Sequence, residues 1–248
     1  MNNNQRPLGR KTPSDWKHVS KYPFSAVAPK AVINVEKTLK LPSFHKSWDQ
    51  GQQGSCVGFG TSMMMSIVNE QQARTISEKP YTHKYDPFWL WNNAKMIDEW
   101  PDTNPGDDNG TSVRAACDIL RTKGHVRIKG TKDLPVDLNE GISTNRWATT
   151  VDEIRTAISM GIPLSMGVNW YSNFDDPKKK GREYWIGEGG LGEIRGGHCV
   201  CLYGASDKRK AFKIKNSWGK LYPEVWIPYD TVKRLISEDG EFALITDR

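Results

Sequence analysis

The chain has 248 residues, of which 37% are hydrophobic and 26% charged, and its formal net charge is +6. This length can bury a substantial core, and the composition is that of a globular protein rather than a disordered one. No apolar run approaches the roughly 20 residues that a membrane-spanning helix requires, and residues 1–7 contain no apolar signal core. We therefore expect a monomeric cytoplasmic protein with no membrane contact.

The four cysteines predict neither a disulfide scaffold nor a metal site. They are few, unevenly spaced and without paired CxxC motifs. Cys199 and Cys201 stand two apart in an apolar run, so on a strand they would share one face as small core residues. Cys117 lies on the apolar face of a predicted helix. No cofactor or metal is expected.

The first part of the chain reads as an arm followed by helices. Residues 1–40 contain four prolines and little apolar periodicity, which predicts an extended arm. A helix is expected from Ser55 or Cys56, with apolar residues every four positions after it, and the region 41–145 is predicted to be a mainly helical lobe. Two further helices, at Pro87–Glu99 and Val113–Arg121, flank a turn-rich loop at 101–110.

Beyond residue 145 the pattern changes from helical to extended. A short helix at Val151–Met160 precedes apolar segments of strand length, so 146–248 is predicted to be a β-rich lobe. These segments are 163–168, 198–203, 211–215, 224–227 and 242–245. The expected fold class is α+β, with a cleft between the lobes.

Two basic runs account for part of the positive charge. Residues 178–182 and 208–210 both lie beside turn signals, so we interpret them as solvated loop tips. The alternative is attraction to nucleic acid or to an acidic protein. No aromatic-interleaved RNA motif or helix-turn-helix pattern supports that alternative.

Three widely separated segments carry groups that suit nucleophilic catalysis. Cys56 follows a Gly-Ser pair at the start of a predicted helix, whose N-terminal partial positive charge favours a thiolate. His198 could exchange a proton with that thiol, and Asn216 could accept the other imidazole N–H. Taken singly, each residue has an ordinary structural explanation. Together they predict a Cys–His–Asn site that attacks a carbonyl carbon.

Two more residues complete this predicted site. A tetrahedral intermediate needs hydrogen-bond donors for its oxyanion, and the Gln50 side-chain amide and the Cys56 backbone N–H are the natural pair. Trp218, two residues after Asn216, could shield the imidazole–amide hydrogen bond from water and so strengthen it.

These motifs resemble those of papain-like cysteine peptidases of the C1 type. The resemblance rests on Gln50–Cys56, on His198 before a short apolar strand, and on Lys215–Gly219; a weaker likeness at Gly110–Arg114 suggests bacterial and phage-type members. It implies a two-lobe fold with a helical left lobe and a β-barrel-like right lobe. It also implies an extended peptide bound in the cleft between them. By motif position the lining residues would be Gly54, Asn109, Gly110, Met166, Gly167, Gly197 and Trp218.

The N-terminal arm departs from what the resemblance implies. Family proenzymes carry a long helical propeptide over the cleft, whereas residues 1–27 are short and interrupted by prolines. Either activity is controlled differently, or the arm packs permanently on the body. Small residues at Gly167, Gly196 and Gly197 further suggest an open pocket for the substrate side chain two residues from the scissile bond.

The sequence thus predicts a peptidase that cleaves a protein or peptide through a thioester on Cys56. Two alternatives remain at this stage. The same thiol could transfer the acyl group to an amine. The fold could instead serve as a non-catalytic binding module or, if the source is a phage, as a virion-structural protein in the host cytoplasm or the particle.

Overall fold

The computed structural model describes residues 6–15, 17–29, 34–76, 83–100, 109–129 and 132–247. Within these residues the α-helices are α1 (Lys17–Lys21), α2 (Cys56–Ile76), α3 (Pro87–Lys95), α4 (Val113–Thr122), α5 (Val151–Ser159) and α6 (Tyr229–Ser237). The strands are β1 (Glu36–Thr38), β2 (Ile128–Lys129), β3 (Lys132–Asp133), β4 (Thr144–Trp147), β5 (Leu164–Tyr171), β6 (Lys178–Lys180), β7 (Glu183–Trp185), β8 (Ile194–Ser206), β9 (Ala211–Lys215), β10 (Val225–Pro228) and β11 (Glu241–Asp247).

Helix starts coincide with capping residues. Ser112 precedes α4 and accepts a 3.1 Å hydrogen bond from the Ala115 amide, and Thr150 does the same for Glu153 ahead of α5. Each cap satisfies an amide that has no partner inside the helix. At the other end of α4, Gly124 adopts a φ of +84°, which ends the helix where the sequence predicted.

One nine-stranded sheet dominates the second half of the chain. Its order is β4-β11-β5-β8-β9-β10-β7-β6, with β1 paired to β8 beside this path. The long strand β8 is antiparallel to both β5 and β9, and from Cys199 to Ser206 all its residues are buried. Helix α2 packs against β8, so the helical half and the sheet share one hydrophobic core.

The predicted α+β class is confirmed, with several local differences. Of the two basic runs, 208–210 lies in a turn as predicted, whereas Lys178–Lys180 forms β6 of a hairpin that turns at Gly181. Helices α1 and α6 were not predicted, and α1 lies within residues 1–40, which were expected to be extended. The second predicted helix ends at Lys95, and its following loop at 101–108 lies outside the described residues. Across the described part of the chain, no helix is long and apolar enough to cross a membrane.

Candidate active site

Backbone pairing brings the Gln50 and Asn216 segments together. The amide of Gln50 donates to the Ser217 carbonyl at 2.9 Å, and the amide of Gly219 donates to the Trp48 carbonyl at 3.0 Å. Gly219 has a φ of +68°, and a Cβ there would lie 2.6 Å from the Asp49 carboxylate. A glycine is therefore required where these two segments meet.

Cys56 is the first residue of α2 and is buried where the helix meets β8. The two elements approach closely: a Cβ on Gly60 would stand 2.8 Å from the Cys199 sulfur. The backbone N–H groups of Cys199 and Gly9 lie near the Cys56 thiol and favour its thiolate form. Since Cys199 directly follows His198, the thiol lies against the backbone that carries the imidazole.

His198 is held in one orientation by Asn216. Its Nε2 lies 2.9 Å from Oδ1 of Asn216, and the same oxygen accepts the Ser217 amide at 2.7 Å. The ring is flanked by Trp218, with centroids 4.9 Å apart, and by Trp170 at 4.6 Å. Its other nitrogen, Nδ1, is buried and has no hydrogen-bond partner among the residues that the structure describes.

The Gln50 amide is also fixed. Its Oε1 accepts a 2.7 Å hydrogen bond from the Ser217 hydroxyl, so its Nε2 must point the other way. That Nε2 donates to the Gln53 carbonyl at 2.8 Å and to the Pro7 carbonyl at 3.3 Å. The predicted oxyanion donor is thus oriented, and a carbonyl of the chain itself already contacts it.

Residues 6–15 are part of the predicted N-terminal arm, and they cross this site. From here on, the arm means residues 6–15 only. The Arg10 amide donates to the Gly197 carbonyl at 2.9 Å, and the Thr111 amide donates to the Gly9 carbonyl at 2.8 Å. Gly9 is tightly enclosed, because a Cβ on it would fall 1.7 Å from the Gly54 carbonyl oxygen. The arm therefore lies between the helical half and the sheet, directly over Cys56.

Both ends of the arm are attached to the body. Near its start, Arg6 pairs with Asp49 at 2.7 Å, and the Arg6 carbonyl accepts from Arg195 at 3.1 Å. Near its end, the Ser14 amide donates to Glu99 at 2.6 Å. The described residues 6–15 thus pack on the body, and whether this packing is permanent stays a prediction.

Burial keeps the Cys56 thiol and the His198 imidazole neutral. It raises the pKa of the Cys56 thiol to about 11, although the backbone N–H groups around it favour the thiolate. It lowers the pKa of His198 to about 4, and the hydrogen bond to Asn216 only partly offsets that effect. The expectation of a lowered thiol pKa is therefore wrong for the covered site, because desolvation outweighs the helix N-terminus.

Four of the predicted lining glycines surround the arm. A Cβ on Gly110 would lie 1.8 Å from the Gly9 carbonyl oxygen, and one on Gly197 would lie 2.0 Å from the Arg10 carbonyl oxygen. Gly54 touches Gly9 as described, and a Cβ on Gly167 would lie 3.3 Å from Cγ of Arg10. These positions suit residues that admit an extended backbone between the lobes.

Two other predicted lining residues are placed differently. Met166 is fully buried in the core and, as the strand neighbour of Gly167, points to the opposite face of the sheet, which does not favour contact with substrate. Asn109 is exposed at the groove rim, and its carbonyl accepts a 3.0 Å hydrogen bond from Trp91 Nε1.

Four residues near the site were missed by sequence reasoning: Arg10, Trp170, Ser217 and Glu241. Ser217 stands inside the recognised Asn-Ser-Trp-Gly motif, but its role depends on the pairing with Gln50. Trp170 lies beyond Val168, where the predicted strand stopped. In the structure β5 continues to Tyr171, and the Trp170 ring contacts the His198 imidazole. Arg10 and Glu241 form a buried pair 231 residues apart, which no local pattern indicates. No group of three potential metal-ligating side chains occurs in the described ranges.

Comparison with solved structures places this architecture among cysteine proteases. Xylellain, a cysteine protease from Xylella fastidiosa, superposes with a TM-score of 0.71 at 18% identity, covering 98% of each chain. A procathepsin B from Trypanosoma congolense gives 0.63 at 12% identity over 95% of this chain and 86% of that one. Digestive procathepsin L 3 of Tenebrio molitor gives 0.62 at 12% identity, covering 96% and 75%.

Sequence comparison finds a distant curated relative. An uncharacterized peptidase C1-like protein of Acanthamoeba polyphaga mimivirus is 22% identical over 227 residues. The match spans 77% of this chain and 66% of the viral protein, just under two thirds of its length. No protein-family model matches the chain. At these identities the shared property is the fold, which is papain-like.

Proposed function

We propose that this chain is a cysteine peptidase that acts on a protein or peptide. In the resting state its own arm covers the site and keeps the enzyme inactive. The observation that carries the proposal is the pair of fixed hydrogen bonds around the start of α2. One orients the His198 ring through Asn216, and the other orients the Gln50 amide through Ser217. A purely structural protein has no need for a thiol, an imidazole and two oriented amides in this arrangement.

The chemistry follows from the positions of these groups. Nδ1 of His198 takes the proton of the Cys56 thiol, and the thiolate attacks the substrate carbonyl carbon. The resulting oxyanion receives the Gln50 Nε2–H and the Cys56 backbone N–H. When the intermediate collapses, the imidazolium gives its proton to the leaving amine, and the acyl group stays on sulfur as a thioester.

Hydrolysis of the thioester completes the cycle with the same groups. His198 removes a proton from water, whose oxygen attacks the thioester carbonyl. The C–S bond then breaks, the thiol is regenerated, and a carboxylic acid leaves. Asn216 takes no part in bond making but keeps the ring in place for both proton transfers.

The arm accounts for an inactive resting state. The Pro7 carbonyl contacts the oxyanion donor, and the N–H of Gly9 faces the thiol, so the arm offers the sulfur a donor rather than a carbonyl carbon. With both reacting groups neutral and covered, a substrate binds only after the arm moves. The arm thus supports latency without requiring that it be cleaved.

The proposal is tested by a thiol trap together with peptide hydrolysis. Gly9→Ala should displace the arm, and the variant should then react with an epoxide or vinyl-sulfone inhibitor at Cys56, located by mass spectrometry, and cleave a mixed peptide library. Cys56→Ala in the same background should abolish both. A folded Gly9→Ala protein that neither labels at Cys56 nor cleaves any peptide would contradict the proposal.

Product analysis separates hydrolysis from acyl transfer. With a peptide substrate and an excess of added amine, a hydrolase yields mainly the free acid, whereas a transferase yields mainly the amide. If the Gly9→Ala protein and the Gly9→Ala, Cys56→Ala protein bind the same partner equally and neither changes it chemically, a binding role replaces the enzymatic one.

A further inference from the structure

Two cysteines lie in the interface between α2 and β8. Cys56 is the first residue of α2, Cys199 lies on β8, and neither has any exposed surface. All four cysteines of the chain lie within the described ranges, and all are free thiols. Cys199 takes no part in the proposed peptide hydrolysis. Its side chain is therefore a buried nucleophile next to the reacting one, with no use in that mechanism.

The position of the Cys199 sulfur is fixed from the helix side by Gly60. A Cβ on Gly60 would lie 2.8 Å from Sγ of Cys199. Gly60 follows Cys56 by four residues, and residues so spaced lie on one face of an α-helix with Cβ atoms about 5–6 Å apart. The Cys199 sulfur therefore packs on the face of α2 that carries Cys56, within about one helical turn of it.

The backbone of β8 gives the same relationship from the strand side. The Cys199 amide lies near the Cys56 thiol, and its nitrogen is bonded to the Cα that carries the Cys199 side chain. Burial and, after it, the charge of Cys56 raise the pKa of Cys199, so the two thiols are also electrostatic neighbours. Contacts on both elements thus place the two sulfurs in one enclosed space.

The Cys199 sulfur has a hydroxyl beside it that can stabilise a thiolate. Oγ of Ser165 lies 3.3 Å from Sγ of Cys199, and the Thr61 hydroxyl lies 2.9 Å from that same Oγ. A hydroxyl that donates to a thiolate favours the charged form. Because burial nevertheless keeps the resting Cys199 thiol neutral, it does not compete with Cys56 for an oxidant.

Cys201 provides a comparison on the same strand. It lies two residues after Cys199, on the same face of β8, and is equally buried. Burial is what raises the pKa of its thiol, whereas the Cys56 charge and the Ser165 hydroxyl act on Cys199 in addition to burial. Cys201 is therefore an ordinary core cysteine and a matched control for Cys199.

We propose that Cys199 is a resolving thiol: once a peroxide has oxidised Cys56, Cys199 forms a disulfide with it that reversibly stops the enzyme. This inference concerns regulation of the proposed peptidase and rests on that function for the reactivity of Cys56. The disulfide also protects the nucleophile, because a sulfenic acid that meets no thiol is oxidised further to an irreversible sulfinic acid.

The reaction balances with hydrogen peroxide as the oxidant. The Cys56 thiolate attacks one peroxide oxygen, the O–O bond breaks, and the leaving hydroxide takes the proton held by His198 to become water. Cys56 is now a sulfenic acid. The Cys199 sulfur attacks the Cys56 sulfur, the S–O bond breaks, and the second hydroxide takes the Cys199 proton. Two thiols and one peroxide thus give one disulfide and two waters.

The test treats the Gly9→Ala protein with hydrogen peroxide and identifies the product by mass spectrometry. The intact protein should lose about 2 Da, the mass of the two hydrogens removed, and should run as a monomer on a non-reducing gel. Tandem spectra of the linked tryptic peptides should join Cys56 to Cys199. Dithiothreitol should restore both the original mass and peptide cleavage. Cys56→Ser in this background should leave Cys199 reduced.

Variants of the second thiol identify it as the partner. Cys199→Ser keeps the size of the side chain and its neighbour Ser165, and here peroxide should add about 32 Da to Cys56, the sulfinic acid, which dithiothreitol does not remove. Cys201→Ser should still form the disulfide. We expect the fraction of cleavage recovered by dithiothreitol to be at least about tenfold lower for Cys199→Ser than for Cys201→Ser. Should Cys199→Ser fail to fold, the linked peptides of the protein with all its cysteines still decide.

The mass measurement separates this inference from the proposed function. If the protein cleaves no peptide but the link between Cys56 and Cys199 forms, the peptidase proposal fails and the resolving-thiol assignment stands. Peptide cleavage together with over-oxidised Cys56 and a free Cys199 thiol would overturn that assignment alone. A link from Cys56 to Cys201 or to Cys117 in the folded protein would overturn it as well.

Discussion

The hydroxyl of Ser217 donates a 2.7 Å hydrogen bond to Oε1 of Gln50, and the two residues come from opposite halves of the chain. This bond decides which end of the Gln50 amide faces the groove. With Oε1 engaged, Nε2 is the end presented to an incoming carbonyl. The orientation of the oxyanion donor is therefore set by the segment that also carries Asn216.

Ser217→Ala should impair catalysis without removing any reacting group. The Gln50 amide would be free to rotate, and loss of a well-placed oxyanion donor costs up to about 3 kcal/mol in the transition state. In the Gly9→Ala background, we expect Ser217→Ala to lower kcat about tenfold and to change KM little. Ser47→Ala, on an exposed turn where its hydroxyl bonds to the Phe44 carbonyl, is the control. An effect on KM alone would argue against this role.

Asn216→Ala should narrow the pH range of activity from the alkaline side. The hydrogen bond from Nε2 to Asn216 raises the pKa of His198, so its loss lowers the pKa of the imidazolium. Because the active form pairs a thiolate with that imidazolium, the alkaline limb of kcat/KM should move to lower pH by about one unit. The pH profile of the arm-displaced enzyme measures this shift. An unchanged limb with a lower plateau would indicate that Asn216 acts only through ring orientation.

Gly9→Ala should release the arm, because even a methyl group at this position would overlap the Gly54 carbonyl oxygen. We expect the rate of Cys56 alkylation to rise at least tenfold over the unaltered protein. Gly181→Ala is the control: its φ is +60° and nothing lies near an added Cβ, so it causes backbone strain of about 1 kcal/mol away from the site. Equal alkylation rates in the two variants would mean that general loosening, not arm release, exposes the thiol.

The motifs allowed the fold to be predicted because each depends on local residue order. Gln50–Cys56 and Lys215–Gly219 are contiguous, and the strand that begins after His198 is strongly apolar. The helix ends were also encoded locally, as with Ser112 before α4 and Gly124 after it. The sheet partners of β8 were not predicted, since strand order does not appear in any one segment of the sequence.

The path of the arm could not be predicted from its own residues. Its prolines and weak periodicity indicate an extended chain, but they do not indicate where that chain lies. What fixes it are contacts with Gly54, Gly110 and Glu241, up to 231 residues away. The effect on the thiol is hidden for a similar reason: a cysteine at a helix start suggests a thiolate, whereas burial in the folded chain raises its pKa instead.

The last prediction concerns His45, which lies in the 3-10 helix Ser43–Ser47 and is buried against Phe44 and Trp48. Neither ring nitrogen has a hydrogen-bond partner among the described residues. Burial and, to a smaller extent, the nearby Lys215 charge together lower the pKa of His45 to about 3. The unfolded chain, with an ordinary pKa near 6.5, therefore binds a proton that the folded chain excludes.

The sign of the pH effect follows from this difference. Between about pH 6.5 and pH 3 the unfolded state holds more protons, so stability falls as the solution becomes more acidic. From pH 7 to pH 5, His45 alone should remove about 2 kcal/mol from the free energy of unfolding. His198, whose pKa is lowered to about 4 by burial, adds a loss of the same sign over a similar range.

His45→Phe should remove the first contribution and keep the aromatic packing. Urea unfolding at pH 7 and pH 5 should show that the variant loses about 2 kcal/mol less than the unaltered protein over this interval. His45→Leu covers the case in which phenylalanine does not fit. Lys46→Gln, which changes an exposed neighbour, should keep the full loss. If His45→Phe and Lys46→Gln lose stability equally, the buried imidazole is not what makes the fold sensitive to acid.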